Sequence, residues 1–168
     1  MKVAWVLIFL FGGLLANAQY MEVSVDGMVT FDGVDFIINE AGEDYSPSVE
    51  SESSVYVSID FQSFWDALFN PNRKWKIEVA KEDLTWNNHV KLEIKRTEDG
   101  YGDWSNNKRK TRIKGGDNYQ VVDRVSRDFF SGKGSAYFVP LQLKLSGISV
   151  TQGAQDFETN VILTIYDD

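Results

Sequence analysis

The stretch Tyr137-Phe138-Val139-Pro140-Leu141-Gln142-Leu143-Lys144-Leu145 decides the fold. Tyr137, Val139, Leu141, Leu143 and Leu145 recur at a spacing of two, which puts all five on one face of an extended chain and Gln142 and Lys144 on the other. A helix would scatter that set around its axis, so only a half-buried strand uses it. Pro140 has no N–H to give a ladder, and the strand is therefore expected at a sheet edge or with a bulge there.

The same period extends in both directions. Downstream, Phe157, Thr159, Val161, Leu163 and Ile165 form a closing strand. Upstream, Val55, Val57, Ile59 and Phe61 make one strand, Trp75, Ile77 and Val79 a second, and Val90, Leu92 and Ile94 a third, while residues 119–125 re-enter the sheet. Nearer the N-terminus, Val23, Val25, Val29 and Phe31 share a face opposite Glu22, Ser24, Asp26 and Thr30, with Gly27 interrupting the apolar set. Asp32-Gly33 is a hairpin dipeptide, because both turn positions require positive φ, and residues 34–38 read as its returning strand. About eight to nine strands, with no βαβ alternation and no long internal repeat, define an all-β protein. The expected architecture is an antiparallel Greek-key β-sandwich of immunoglobulin-like type, with a closed barrel as the alternative.

One segment breaks the rhythm. Phe61, Phe64, Trp65, Leu68 and Phe69 switch to helical spacing, and Asn70-Pro71-Asn72 stops them after about two turns. The expectation is one short helix, or an apolar plug, closing one end of the core, with Trp65 and Trp75 as core residues. Residues 39–54 are acidic and rich in small residues, with Glu40, Glu43, Asp44, Glu50 and Glu52 beside Pro47, and read as a mobile loop. Residues 106–118 read as a long polar, basic hairpin loop.

The N-terminus carries an address. Lys2 precedes an apolar run over residues 3–15, and Ala16-Asn17-Ala18 supplies the small-x-small pattern of a signal peptidase site before Gln19. About thirteen apolar residues are too few for the roughly 20 that cross a bilayer core, so residues 1–18 are expected to be a cleaved signal peptide. The expected mature chain, residues 19–168, is then one secreted, periplasmic or cell-surface domain with no membrane span. The chain has no cysteine, so the core holds without disulfides, and a thiol nucleophile, a Cys-ligated zinc and an iron–sulfur cluster are excluded. Residues 19–168 contain no Asn-x-Ser/Thr sequon, a lean towards a bacterial exported protein.

Charge narrows the partners. The net charge is −8, and removing the leader takes away Lys2, leaving 16 basic against 25 acidic residues and a net charge of −9. That balance repels nucleic-acid phosphates and disfavours anionic membrane surfaces. Strands facing solvent with dispersed charge also speak against an outer-membrane barrel.

Several residue sets invite a functional reading, each beside a plainer one. His89 is the only histidine, and after Asn87-Asn88 it reads as an exposed turn residue rather than the base of a triad. Glu98, Asp99 and Asp103 around Gly100 and Gly102 offer hard oxygen ligands of the kind Ca²⁺ accepts, although the spacing lacks an EF-hand loop and suits a simple turn. No other cofactor is implied. Tyr101 and Trp104, joined by Trp86 where exposed, are the candidates to stack on a sugar ring. Lys108, Arg109, Lys110, Arg112 and Lys114 form the one basic cluster, either a solvated loop or a patch complementary to the acidic loop that orients a protein partner or a second copy. Paired carboxylates of a hydrolase are a third class, which sequence spacing does not demonstrate. Gly132-Lys133-Gly134-Ser135 lacks the spacing of a phosphate loop and reads as a glycine turn.

Phe129-Phe130-Ser131-Gly132, the strand Val139-Pro140-Leu141-Gln142-Leu143, and the closing Val161-Ile162-Leu163-Thr164-Ile165-Tyr166 resemble small exported β-sandwich proteins of Gram-negative bacteria, in the neighbourhood of spore coat protein U and chaperone–usher pilin subunits. Gly153 and Tyr166 are similar in kind to the glycine and near-terminal tyrosine of the pilins' last strand. The likeness covers about the last forty residues. It departs from the pilin pattern in lacking a disulfide and in placing Tyr166 one position further from the end. The resemblance implies a pilin-like subunit completed by strand addition, with residues 21–31 as donor; the alternative is an ordinary first strand, which Asp32-Gly33 favours. The function expected is that of a non-enzymatic structural or adhesive surface protein, with a carbohydrate-binding module as the alternative.

Overall fold

The computed structural model describes residues 20–29, 31, 48–102, 112–149 and 157–167. Among them the chain forms β1 (Met21–Gly27), β2 (Ser48–Glu50), β3 (Val55–Phe61), α1 (Phe64–Phe69), β4 (Lys74–Thr85), β5 (Lys91–Arg96), β6 (Tyr101–Gly102), β7 (Lys114–Gly115), β8 (Gln120–Val121), β9 (Arg127–Lys133), β10 (Ala136–Ser146) and β11 (Glu158–Asp167). One sheet has the order β1-β3-β10-β5-β8, with β2 and β6 also on β10; the other has the order β11-β4-β9-β7. Every ladder is antiparallel. The protein is an all-β, sandwich-like molecule with one short helix.

Period-two patterning builds the interior. Val57, Ile59, Ile94, Val139 and Leu141 from the first sheet meet Trp75, Ile77, Val79, Phe130 and Ile165 from the second, all buried. Met21, Val23 and Val25 lie opposite Phe61, Ile59 and Val57, and β1 pairs along its whole length with β3 of its own chain; Met21 is buried and Val23 packs on the core, while Val25 is largely exposed. Gly27 ends β1 at φ +108°, where a Cβ would lie 2.0 Å from the carbonyl oxygen of Ser54. The hairpin at Asp32-Gly33 and the strand over residues 34–38 lie outside the described residues.

Four expectations need correction. β10 is central, between β3 and β5, so of the two alternatives for Pro140 the bulge is the one met, and what needs correcting is the place of Tyr137. Pro140 is tolerated because a bulge precedes it: Ala136 faces Ile59 and Val139 faces Val57, so Ser58 alone opposes Tyr137 and Phe138. The extra residue shifts the phase, so that Ala136 takes the core position and Tyr137 leaves it. Residues 48–51 are not a free loop, since β2 joins β10 and buried Ser51 extends that ladder: its N–H donates to Leu143 O (2.8 Å) and its Oγ accepts from Leu143 N–H (3.0 Å).

Third, Gly132 and Lys133 lie within β9, a strand between β4 and β7 that strict alternation conceals. Phe129 and Phe130 are adjacent and both buried, because the β4–β9 register shifts between Ile77 and Glu78. β9 also draws Lys114 and Gly115 into the sheet as β7, so the basic loop is shorter at its C-terminal side. The fourth correction concerns α1, which forms as the spacing predicts but plugs nothing: none of its residues is buried, and Trp65 is no core residue.

A candidate interaction surface at the helical end

α1 is a local product of its caps. Ser63 is extended (φ −136°, ψ 138°) and its Oγ accepts from Trp65 N–H, while Asp66 in the first turn suits the helix dipole. Asn70 N–H donates to Asp66 O (2.8 Å), and Pro71 disfavours helical φ, ψ at Asn70, so the helix stops after six residues. Its fractional exposures are Phe64 74%, Trp65 63%, Leu68 55% and Phe69 71%. Trp65 stacks on Phe69 with centroids 6.0 Å apart, and Phe64 meets Trp65 edge-on at 5.7 Å, so the aromatic side chains contact one another in place of the core.

The surroundings of α1 are fixed by backbone bonds. Gln62 N–H donates to Tyr20 O (3.0 Å), which brings the start of the described chain beside the helix. Arg73 N–H donates to Asn70 O, and Gly134 N–H donates to Arg73 O (2.8 Å), tying the helix exit to the β9–β10 turn. The Arg73 guanidinium carbon lies 3.8 Å from the Tyr20 ring centroid, and its Nε is buried without a hydrogen-bond partner. Lys74 and Lys133 face each other across β4 and β9. A shallow groove of about 500 Å³ runs along Phe69, Asn70, Asn72, Arg73 and Lys74.

The sequence-derived candidates do not converge on one place. Tyr101 is exposed and lies opposite Tyr137 at one end of β10, whereas Trp86 lies near Val90, beside the Lys91–Ser146 pair at the other. Nine strand residues separate those rungs, about 30 Å at 3.3 Å each. Trp86 is half-buried, donates from Nε1 to Val90 O (2.9 Å) and packs on Phe157. Trp104 lies outside the described residues. Of the Ca²⁺ candidates, Asp99 pairs with Arg96, Glu98 stands on the turn and Asp103 lies outside the described residues. Among the described residues no cluster of three His, Asp or Glu side chains forms a metal site. Arg112 and Lys114 are exposed, and Lys108, Arg109 and Lys110 lie outside the described residues. His89 is exposed on the turn after β4, its N–H bonded to Asn87 Oδ1.

Several carboxylates on and beside the sheets are engaged by cations. Lys76 pairs with Glu78 and Asp128, Lys144 with Glu93, and Arg127 with Asp123. Asp83 accepts from Lys81 (2.8 Å), Arg124 (3.0 Å) and Thr159; desolvation works against its charge, but these bonds outweigh it and hold its carboxyl below the usual range. Burial raises the Tyr119 phenol, with the Glu50 and Glu93 carboxylates adding to the effect, while Lys95 and Lys144 each lie 4.3 Å from its ring centroid. Between the sheets, an aliphatic cleft of about 210 Å³ is lined by Val25, Val29, Val55, Leu143, Val161 and Leu163 among others, with no polar side chain to orient a reactant.

Sequence reasoning located α1 but assigned its side chains to the interior. The signal that separates the two readings is weak: Asn70-Pro71-Asn72 leaves the helix too short to lie across a sheet. No family model, curated protein or solved structure matches the chain.

Proposed function

We infer that this chain is an exported, non-enzymatic β-sandwich of structural or adhesive type, acting by association at the cell envelope. The observation that supports this reading is α1, where four large apolar side chains stand in solvent on a tightly capped helix. Scattered exposed apolar residues need no explanation, but a contiguous group of this size marks a contact surface. The signal-peptide pattern before Gln19 supplies the route to the envelope. A fimbrial-like assembly is one form the association takes.

Cell fractionation tests the inference. The isolated protein should begin at Gln19 and sediment with the envelope, and a Phe64→Ser, Trp65→Ser, Phe69→Ser variant should move to the soluble fraction. A retained leader, or a distribution the variant leaves unchanged, ends this reading.

A second reading, carbohydrate binding, is favoured by Phe138. It is exposed at φ +55°, a conformation costly for an aromatic residue, beside Tyr56 (centroids 6.5 Å apart) on the outer face of the first sheet. Tyr101 is exposed on β6 opposite Tyr137, the residue next to Phe138. A glycan array that shows binding, weakened by Phe138→Ala and Tyr101→Ala, supports it; no binding removes it.

A further inference from the structure

We propose that the α1 end of the sandwich docks on the surface of a phospholipid bilayer, with Phe64, Trp65, Leu68 and Phe69 seated between headgroups and acyl chains and Arg73, Lys74 and Lys133 beside headgroup phosphates. This rests on the envelope-association reading and adds what is bound.

Two observations converge. The apolar group is of interfacial type: Trp and Phe side chains settle at the boundary of headgroups and hydrocarbon, where a short amphipathic element lies on the membrane without spanning it. Among the described residues no helix is long and apolar enough to cross.

The cations around it are available. Lys76, Lys81, Arg96, Arg124, Arg127 and Lys144 all hold carboxylates. At the helical end two carboxylates have other donors: Asp60 accepts from Phe61 N–H and Ser135 Oγ, and Asp167 accepts from Tyr20 N–H. Among the described residues no carboxylate pairs with Arg73, Lys74 or Lys133. Arg73 and Lys74 line the groove beside Phe69, the Arg73 guanidinium lying over the Tyr20 ring. Asp66 is the one acidic residue on the helix itself. Phosphate oxygens complete such a set, and a bilayer presents them at the depth where the aromatic rings settle.

The net charge of −9 on the chain from Gln19 onward, 16 basic against 25 acidic residues, does not oppose docking, because charges further than about 8–10 Å away are screened at physiological salt and the apolar contact is independent of charge.

The test uses the chain from Gln19 onward, which contains every described strand, and vesicles of phosphatidylcholine. The chain should float with the vesicles, and brominated phosphatidylcholine should quench the Trp65 emission. The variant carrying Phe64→Ser, Trp65→Ser and Phe69→Ser should bind about tenfold more weakly or worse. Trp65→Phe should retain binding, and Arg73→Gln with Lys74→Gln should weaken it by a few-fold. Near-UV circular dichroism from buried Trp75 confirms that each variant is folded. Failure to float, or flotation unchanged by the triple substitution, overturns the proposal. So does light scattering that shows a dimer dissolved by the same variant, which would make a second copy the occupant and leave envelope association standing. Loss of both vesicle binding and envelope retention by the unaltered chain would end the two readings together.

Discussion

Trp65 and Trp75 are ten positions apart and have opposite fates. Trp75 is fully buried on β4: its Nε1 donates to Gly134 O (2.6 Å), Phe130 meets it edge-on at 6.0 Å, and Gly132 lies against the indole. Trp65 is mostly exposed and touches its helix-mates. Both sit among apolar neighbours in sequence. What separates them is the element that faces each one: β4 is flanked by β11 and β9 and looks across at a second sheet, whereas six helical residues tethered at both ends find no facing layer. An aromatic side chain is made a core residue by its surroundings, not by its own affinity for an interior.

If that contrast holds, substitution at Trp75 should be the costliest in the molecule. Trp75→Ala should destabilise the fold by about 3–5 kcal/mol in urea unfolding, since it removes a large buried side chain and leaves a cavity. A loss under about 1 kcal/mol would place Trp75 in the same class as Trp65 and break the comparison. Gly132→Ala attacks the same site from the other side. The added Cβ would stand 2.5 Å from Trp75 Cζ2 and 2.7 Å from Cη2, so the indole must move or the strands part. Overpacking of this kind costs about 1–3 kcal/mol; an unchanged urea midpoint would show that the slot is looser than the geometry says.

The same pair of tryptophans shows how much the sequence carries. The strands β3, β4, β5, β10 and β11 are legible because a period of two has no other use in this chain, and so the all-β class follows. β9 is hidden by Phe129-Phe130, where a register shift buries two neighbours and erases the alternation that marks a strand. Tyr137 misleads for the same reason, since a bulge invisible in composition turns it off the core face. α1 itself is legible from Phe64, Trp65, Leu68 and Phe69, but helical spacing reports which side chains share a face and is silent on whether anything covers it. The candidate sites fare less well, because a site is a matter of which strand ends coincide. Trp86 and Tyr101 are fifteen residues apart in sequence and at opposite ends of β10 in space.

Polar anchors should fall between the two tryptophans. Ser51→Ala removes the hydroxyl that accepts Leu143 N–H and leaves that amide in a covered place, so a loss of about 1–2 kcal/mol is expected, read by thermal or urea unfolding. Asp83→Asn should cost about 1 kcal/mol near pH 7, because three donors lose a charged acceptor at a partly exposed site. Its pH dependence has a definite sign. The folded carboxyl titrates below its unfolded value of 3.8, so its contribution is complete above that pH and is lost as the pH falls through the folded value. The gap between wild type and Asp83→Asn should be constant from pH 5 to 7 and close below about pH 4; a gap that widens in acid would reverse the assignment.

Trp65→Ala should do the least to stability and the most to contact. The side chain stands in solvent, and what it loses in the folded state is its stacking on Phe69 and its edge contact with Phe64, inside a helix that is itself uncovered. Exposed substitutions of this kind stay within about 0.5 kcal/mol, and Ala is the better helix former. The urea midpoint should therefore be unmoved while retention on the envelope falls. Such a split cannot arise from a plug, whose removal would lower stability and contact together. A Trp65→Ala loss of more than about 2 kcal/mol would mean that α1 closes the core after all, and would remove the ground for treating this end as a surface.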